Sequence, residues 1–362
     1  MTSRTTTAIL IERHGPPSAL VEREVPLRDP GPDEVHLKVE ATGVNFADLL
    51  MRAGLYGTVP PRPYSPGLEV AGLVVRVGSA VANWREGDRA VAILRHGGYA
   101  HDLVVHSRSL FRYPQSLSAA QAAAVPVAFL TAHVCLFEAG NARPGETALV
   151  LNAAGGVGTA AVQLALRRGL RVIGTAGSAA KRDFVTRELG AENCLDSRSG
   201  WEAGVGELVG PRGIDLALDA IGGEATAACR RLLAPLGRLV FYGLSDAMPR
   251  ATLSWPRAAL AWLRTPRFHP LSLVEPNIGI FGVHLLHLQR KEAILGPMLE
   301  RILGAVADGE VRPIVDRAFP LDRAGAVEAH QYLHDRKVIG KVVLARSASS
   351  GAAESGSRAS RS

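Results

Sequence analysis

The chain has 362 residues, of which 47% are apolar and 21% are charged, and a formal net charge of +7. This composition is typical of a folded globular protein with about two domains. The 41 Lys and Arg residues are interspersed with acids, and no basic helix with interleaved aromatic residues occurs, so nucleic-acid binding is not favoured. The three cysteines have no C-x-x-C spacing, which excludes a disulfide framework and a cysteine-rich zinc lobe.

Two segments indicate where the protein is located, the N-terminus and the most apolar stretch of the chain. The first fifteen residues hold no apolar run of signal-peptide length, so a cytoplasmic protein is expected. The most apolar stretch, residues 117–137, is interrupted by Gln121, Pro126 and His133. It is therefore predicted to be buried core rather than a membrane span. The small, polar tail at 347–362 is predicted to be disordered.

Two patterns of secondary structure follow each other along the chain. From residue 5 to about 110, short β-branched runs such as EVHLKVEATGV and EVAGLVVRVGS are separated by turns, which predicts an antiparallel, barrel-like unit. From about residue 118, helix-length segments alternate with the apolar runs TALVLNA, RVIGTAG, IDLALDA, GRLVFYG and NIGIFGV. This alternation predicts an α/β unit with a doubly wound parallel sheet. Near the end, two more strands flank a helix, and we expect them to return to the first unit.

A glycine-rich turn follows the first apolar run of the α/β unit. Residues 149–158 read LVLNAAGGVG and lead into the helical pattern AAVQLALRRG. Glycines between a strand and a helix allow a tight turn and close approach of a ligand, and the helix N-terminus offers free N–H groups to a pyrophosphate. The first glycine of the usual G-x-G-x-x-G is Ala153 here. Against the alternative of a merely connecting loop, we favour a dinucleotide site formed by Ala154, Gly155, Gly156, Val157 and Gly158.

The next strand indicates which dinucleotide is bound. An NAD site has an acid near the end of that strand for the ribose 2′-hydroxyl, but none occurs between Arg171 and Arg182. Ser178 and Lys181 stand there instead, and a hydroxyl with cations suits a 2′-phosphate. The alternative is that Lys181 and Arg182 simply face solvent on a helix. The missing acid favours NADPH as the cofactor.

Five segments together resemble a known family. They are GVNFADLLMRAGLY, PGLEVAGLVVRVGSAVANWREGDRAVA, GGYAHDLVV, the AAGGVG turn and the closing GKVVL. With them the chain resembles the medium-chain dehydrogenases/reductases, specifically the zinc-free quinone oxidoreductase branch, and its C-terminal third is similar to VAT-1-like proteins. The resemblance implies a GroES-like β-rich catalytic domain over 1–125, completed by about 313–346. It also implies a Rossmann domain over 126–312 and a homodimer.

The resemblance also implies that no metal is bound. In zinc-dependent relatives a Cys stands at the place of Asn45, a His at that of Leu68, and a further ligand near Val127. Asn, Leu and Val cannot replace such ligands on zinc. Glu69 is then expected to have a structural role. The histidines at 96, 101 and 106 alternate between strand faces and are expected to be ordinary surface or hydrogen-bonded residues.

Catalytic residues are likewise implied by the resemblance, which puts Asn45, Asp48 and Tyr56 in the cleft near the nicotinamide. Asn45 would donate a hydrogen bond to the cofactor or the substrate carbonyl, and Tyr56 would donate to a developing oxyanion. Asp48 is expected to order the cleft rather than to titrate. The alternatives are that Asn45 is a helix N-cap and that Tyr56 is a packed loop residue.

Further cofactor contacts rest on the resemblance alone. It implies that Thr131, Gly243 and Phe281 border the nicotinamide and that Lys341 lies where the chain passes the cofactor cleft. Relatives often have a Tyr near the third strand that stacks on the 2′-phosphate ribose, whereas Ser197 stands there in this sequence. Arg198 is expected to compensate as a cation.

The activity predicted is reduction of quinones or α,β-unsaturated carbonyls by NADPH, without zinc. One alternative is a 2-enoyl thioester reductase. Another is an NADPH-binding protein with little turnover that acts at membranes or through partners. The aromatic and basic segment 251–277, with Trp255, Trp262 and Phe268, keeps peripheral membrane contact open. Its prolines argue against one long amphipathic helix, so we favour a lid or an interface.

Overall fold

The computed structural model describes residues 4–57, 59–245, 263, 266–288 and 292–346. Its strands are β1 Thr5–Ile11, β2 Leu20–Pro26, β3 Glu34–Val44, β4 Glu69–Val77, β5 Arg89–Ile93, β6 Asp102–His106, β7 Leu110–Arg112, β8 Thr147–Val150, β9 Arg171–Ala176, β10 Asn193–Asp196, β11 Ile214–Asp219, β12 Leu233–Phe241, β13 Gly279–Gly282, β14 Val315–Pro320 and β15 Lys341–Ala345.

The α-helices are Phe46–Ala53, Ala119–Ala123, Pro126–His133, Gly156–Arg167, Ala179–Asp183, Trp201–Val209, Glu224–Leu232, Leu271–Val274, Leu285–Leu288, Glu292–Ala307 and Arg323–His334. Two of them continue as π-helical segments, Val134–Ala139 and Phe184–Glu188.

The first sheet has seven strands built around the long strand β3. Its order is β14-β15-β3-β4-β5-β7, and β6 also pairs with β3. Strands β4, β6 and β15 all run antiparallel to β3, which confirms the predicted antiparallel unit. Strands β14 and β15 thereby join a sheet whose other members come from the first third of the chain.

The second sheet has six parallel strands in the order β10-β9-β8-β11-β12-β13. This order, with the first strand of the unit in the middle, is that of a doubly wound dinucleotide fold, and it confirms the predicted parallel sheet. All four residues of β8 are buried, as are most of β9 and β11, because helices cover both faces. The domain boundaries after residues 125 and 312 stay predictions.

The most apolar part of the chain lies in the core. Residues Ala119–Ala139 are long and apolar enough to cross a membrane, but 72% of their most apolar window is buried inside the protein. Every residue from Pro126 to Ala132 is buried. The stretch therefore packs as the core helix that the sequence predicts.

Two sequence predictions concern residues that the structure does not describe. The tail at 347–362 and residues 251–262, with Trp255 and Trp262, lie outside the described ranges. Phe268, from the same aromatic and basic segment, is described and is half-buried.

Candidate active site

One cavity of about 570 Å³ is lined by residues from both parts of the fold. Its walls include the end of β3 with the following helix, the glycine turn after β8, and the start of β15. The segments after β11, β12 and β13 also contribute. Because parallel strands end at one edge of their sheet, these segments meet where ligands bind in doubly wound folds.

The glycine turn is bare because its main chain packs against itself. Asn152 has a φ of 53°, and a Cβ on Gly158 would lie 2.3 Å from its carbonyl oxygen. A Cβ on Gly155 would lie 2.7 Å from Asn152 Nδ2. The helix that follows begins at Gly156, and Gly155, Gly156, Val157 and Gly158 all line the cavity. Its first N–H groups have no partner within the helix, so they are available to an anion in the cavity.

Strand β15 closes the turn from the other side. The N–H of Gly340 donates to the carbonyl of Ala154 at 2.8 Å, and a Cβ on Gly156 would lie 2.7 Å from Lys341 Cδ. Ala154 is buried and is not among the lining residues. The carbonyl of Ala154 holds the last strand, and contact of Ala154 with the cofactor stays a prediction.

A buried ion pair lies beneath the cavity, and only its lysine, Lys341, is among the lining residues. Lys341 Nζ donates to Glu69 Oε1 at 2.7 Å and to Asn45 Oδ1 at 2.7 Å. Glu69 Oε2 accepts from the N–H of Val127 at 2.7 Å. Glu69 is fully buried and Lys341 is 5% exposed. Glu69 thus has the structural role expected of it, as the acceptor for a lysine, an amide and a backbone N–H.

The side chain of Asn45 is occupied at both ends. Its Oδ1 accepts from Lys341, and its Nδ2 donates to Glu69 Oε1 at 2.9 Å. Asn45 also occupies the N-cap position of helix Phe46–Ala53. The second Nδ2 hydrogen makes only a long contact of 3.5 Å with the carbonyl of Gly43. The amide therefore links Lys341 to Glu69, and its expected role as a donor to the cofactor or the substrate stays a prediction.

Asp48 lies behind the cavity rather than in its wall. It is fully buried and accepts from the N–H of Asn45 at 2.7 Å and of Gly67 at 3.0 Å. Burial raises the pKa of Asp48 to about 7, although the two N–H donors lower it. Asp48 is not among the lining residues. Its bonds order the start of the helix, in line with the ordering role expected of it, and its place among the catalytic residues stays a prediction.

Tyr56 lines the cavity next to a pair of histidines. Its ring lies 5.3 Å from that of His284, which stacks on His287 at 4.1 Å. Burial raises the pKa of Tyr56, so the phenol stays protonated and can donate a hydrogen bond. Sequence reasoning missed His284, because nothing in GIFGVHL distinguishes it from a surface histidine.

Two of the three residues expected near a nicotinamide line the cavity. Thr131 and Gly243 line the cavity, and Tyr242 does so as well. Phe281 does not line it and is 51% exposed on β13. Val283 and His284, which follow Phe281 in the chain, do line the cavity, and contact of Phe281 with the cofactor stays a prediction.

Cations and hydroxyls gather at one end of the cavity. Ser178, Lys181, Ser197, Arg198 and Arg336 all line it there. Lys181 Nζ donates to the carbonyl of Arg336 at 2.6 Å. Arg198 is held by Asp196 through bonds of 2.9 and 2.6 Å. Arg336 was missed because it follows the second unit and is far in sequence from the glycine turn.

A buried arginine supports the wall on the side of helix Arg323–His334. Arg52 is fully buried, and its Nη2 donates to Nε2 of His334 at 2.9 Å. His334 lines the cavity and is 7% exposed. Because an arginine only donates, His334 must be neutral with its proton on Nδ1. Burial, followed by the charge of Arg52, lowers the pKa of His334 to about 4.

The positions implied as zinc-ligand sites face this cavity. Asn45, Leu68 and Val127 are all lining residues. Within the described part of the chain, no group of three or more His, Cys, Asp or Glu residues could hold a metal ion. His101, one of the three spaced histidines, bonds to the carbonyl of Leu321 at 3.0 Å.

Comparison with known proteins agrees with this architecture. Residues 31–115 match the family model described as the alcohol dehydrogenase GroES-like domain, and residues 189–344 match that of the zinc-binding dehydrogenases. The rat synaptic vesicle membrane protein VAT-1 homolog is 35% identical over 316 residues, which cover 87% of this chain and 77% of the relative.

Two solved structures share the whole fold. Escherichia coli quinone oxidoreductase complexed with NADPH superposes with a TM-score of 0.82 at 26% identity, covering 94% of this chain and 99% of that one. The CurK enoyl reductase superposes with a TM-score of 0.81 at 25% identity, covering 94% and 99%.

The two sheets and the cavity define an oxidoreductase that pairs a GroES-like domain with a Rossmann domain. The chain belongs to the medium-chain dehydrogenase/reductase family, and its curated relatives include VAT-1-like proteins. The α/β fold class and the family resemblance read from the sequence are both confirmed.

Proposed function

We propose that the chain is a zinc-independent reductase that transfers hydride from NADPH to quinones or α,β-unsaturated carbonyls. The observation that carries the proposal is a single cavity that joins a glycine turn and cations at one end to the Tyr56 hydroxyl. NADPH supplies the hydride when it is bound.

The lining residues fit a dinucleotide with an additional phosphate. The N-terminus of helix Gly156–Arg167 offers N–H groups and a partial positive charge to a pyrophosphate. Ser178, Lys181 and Arg336 would hold a 2′-phosphate. Asp and Glu are absent from the described residues that line the cavity. The nearby acid Asp196 is paired with Arg182 and Arg198, so its charge is balanced.

Zinc independence is supported by what occupies the cavity floor. Asn45, Leu68 and Val127 supply neither thiolate nor imidazole. The Lys341 ammonium lies 2.7 Å from Glu69, so the carboxylate already has a cation. We infer that polarisation of the substrate falls to hydrogen-bond donors of the protein.

The acceptor side has an apolar wall and a phenol. Phe46, Leu50 and Leu68 line the cavity together with Tyr56, and such a wall excludes water and suits the flat ring of a quinone or the body of an enone. Hydride added to a conjugated carbonyl places negative charge on its oxygen. Tyr56 would donate its proton to that oxygen, which is the role of a general acid or oxyanion donor.

A 2-enoyl thioester reductase is the second candidate. It is supported by the similarity to the CurK enoyl reductase. The same hydride addition to a conjugated carbonyl would serve both substrate classes. The two classes differ in that a thioester substrate also needs a groove for its pantetheine arm.

We also propose that the protein is a cytoplasmic homodimer. Strand β13 is the edge of the six-stranded sheet, and its Phe281 is 51% exposed. Among the described residues no further strand pairs with β13, and a sheet edge with an exposed aromatic residue suits pairing with another copy.

The deciding experiment is NADPH consumption by the purified protein. 9,10-Phenanthrenequinone, an alkyl vinyl ketone and a crotonyl thioester would be offered separately, with NADH as the control cofactor and a chelator in parallel. Turnover that prefers NADPH and withstands the chelator is expected with the quinone or the ketone. Faster turnover of the thioester would favour the second candidate. Binding of NADPH without turnover of any acceptor would overturn the proposal and favour a binding protein.

A further inference from the structure

A second cavity lies on the outer side of the core helix, away from the cofactor cavity. It has a volume of about 510 Å³ and is lined by residues of three helices and the loop at Asn141. Arg167 and Arg168 lie at the end of helix Gly156–Arg167, and Arg301 comes from helix Glu292–Ala307. We call this cavity the basic pocket.

The charges of the basic pocket are poorly balanced. Arg167 pairs with Glu310, whereas Arg168 and Arg301 have no acidic partner within the described residues. All three arginines are exposed, so water screens their mutual repulsion, which grows when a ligand displaces that water. The acid Glu138 acts on the pKa of the adjacent His133 but does not line the pocket. An anion in the pocket would remove this repulsion.

His133 and Phe137 form one wall of the pocket. His133 lines the pocket, and its Nδ1 is buried with no hydrogen-bond partner. Phe137 packs edge-on against the His133 ring with centroids 4.9 Å apart. A polar atom and an aromatic side chain therefore stand side by side.

Apart from Asn141, the rest of the lining is apolar. Leu164, Ile302 and Ala305 complete the wall, and all three are buried. The pocket thus has arginines on one side and aliphatic side chains on the other. Such a site suits a ligand with an acidic group and an apolar body. Guanidinium groups suit carboxylates and phosphates because their N–H donors match two oxygens at once.

We propose that the basic pocket binds a small organic anion, a carboxylate or phosphate monoester that carries an apolar chain or ring. The acid group pairs with Arg168 and Arg301, and the apolar body packs on Leu164 and Ile302. This site is separate from the cofactor cavity and does not depend on the proposed reductase activity.

Calorimetric titration of the full chain tests the proposal. The probes are octanoate and octyl phosphate, with 1-octanol as the chain without charge and acetate as the charge without chain. Octanoate or octyl phosphate should bind at one site, at least about tenfold more tightly than octanol or acetate, since a charge-assisted bond contributes about that factor. The two anions distinguish a carboxylate from a phosphate site.

Variants locate the binding. R168Q/R301Q should weaken the binding of the anion at least about tenfold, and R301Q alone should weaken it less. R13Q/R187Q removes two exposed arginines outside the pocket and should bind as the wild type does. K181Q, which changes the cofactor cavity, should also leave this binding unchanged. Unchanged binding in R168Q/R301Q, equal binding of octanol, or no binding up to about 10 mM would overturn the proposal.

Discussion

Lys341 Nζ lies 2.7 Å from Glu69 Oε1, and this ion pair joins β15 to the start of β4 beneath the cavity. Both side chains are buried. The pair therefore contributes to the stability of the fold at the place where the cofactor site is built.

Removing the ammonium should destabilise the fold. K341M leaves the Glu69 carboxylate buried without its cation, and the loss of one partner of such a pair costs about 3–5 kcal/mol. Urea unfolding monitored by circular dichroism measures this loss in the free energy of unfolding. R231Q breaks an exposed pair with Glu202 and should cost no more than about 1 kcal/mol. A K341M value as small as that of R231Q would contradict the prediction, and K341M/E69Q should recover part of the loss.

Replacing the phenol should slow the reduction. Y56F keeps the ring against His284 but removes the proton donor, so kcat for an alkyl vinyl ketone should fall about 10²-fold with little change in KM. Stopped-flow decay of NADPH absorbance measures it. Y332F removes a hydroxyl that donates to Asp316, away from the cavity lining, and should keep wild-type rates. An unchanged kcat in Y56F would assign the proton to water or to another side chain.

Cofactor choice should depend on Arg336. R336Q removes a guanidinium from the 2′-phosphate end, and loss of a charge-assisted hydrogen bond should weaken NADPH binding about 10- to 100-fold. Binding of NADH should not change. Fluorescence titration of both cofactors measures the ratio, with R187Q as a matched surface variant. Equal loss for both cofactors would mean that Arg336 acts through the loop that Lys181 holds.

The Arg52–His334 contact should make stability depend on pH. The pKa of His334 is about 4 in the folded chain, against an ordinary value of 6.5. Between these values only the unfolded chain takes up the proton, so this contribution is complete above pH 6.5 and is lost as pH falls toward 4. One group gives at most about 1.4 kcal/mol per pH unit.

The variant H334Q isolates this contribution. Glutamine retains an acceptor for Arg52 but does not titrate, so its free energy of unfolding should fall less than that of the wild type between pH 6.5 and 4.5. Asp48 acts in the opposite sense, because its raised pKa stabilises the fold at low pH and less so as pH rises through 7. That effect is common to both proteins and cancels in the difference. Parallel curves would rule out His334 as the titrating group.

Local patterns predict more of this protein than distant contacts do. The glycine turn and the parallel sheet follow from strand–turn–helix spacing within a few residues. Two contacts join residues that are far apart in sequence, Lys341–Glu69 by 272 positions and Arg52–His334 by 282. No local sequence pattern predicts such contacts. Asn45 illustrates the limit, because its motif places it in the cleft but its hydrogen bonds depend on β15.

Phe281 illustrates a second limit. The strand GIFG is evident from composition, but the residues that reach the cavity follow it at Val283 and His284. Which side chain turns toward a site depends on where the strand ends, and sequence patterns give strand ends least accurately. Trp255 and Trp262, from the aromatic and basic segment, lie outside the described residues.

The contact of Gly340 and Lys341 with the glycine turn also orders events during synthesis. Domains fold as the chain leaves the ribosome, N-terminal parts first, and all six strands of the parallel sheet are made before residue 340. A nascent chain can therefore complete that sheet while Ala154 and Gly156 still lack their neighbours. The cavity would mature only when β15 is released, so a growing chain would not sequester a dinucleotide before both sheets can form.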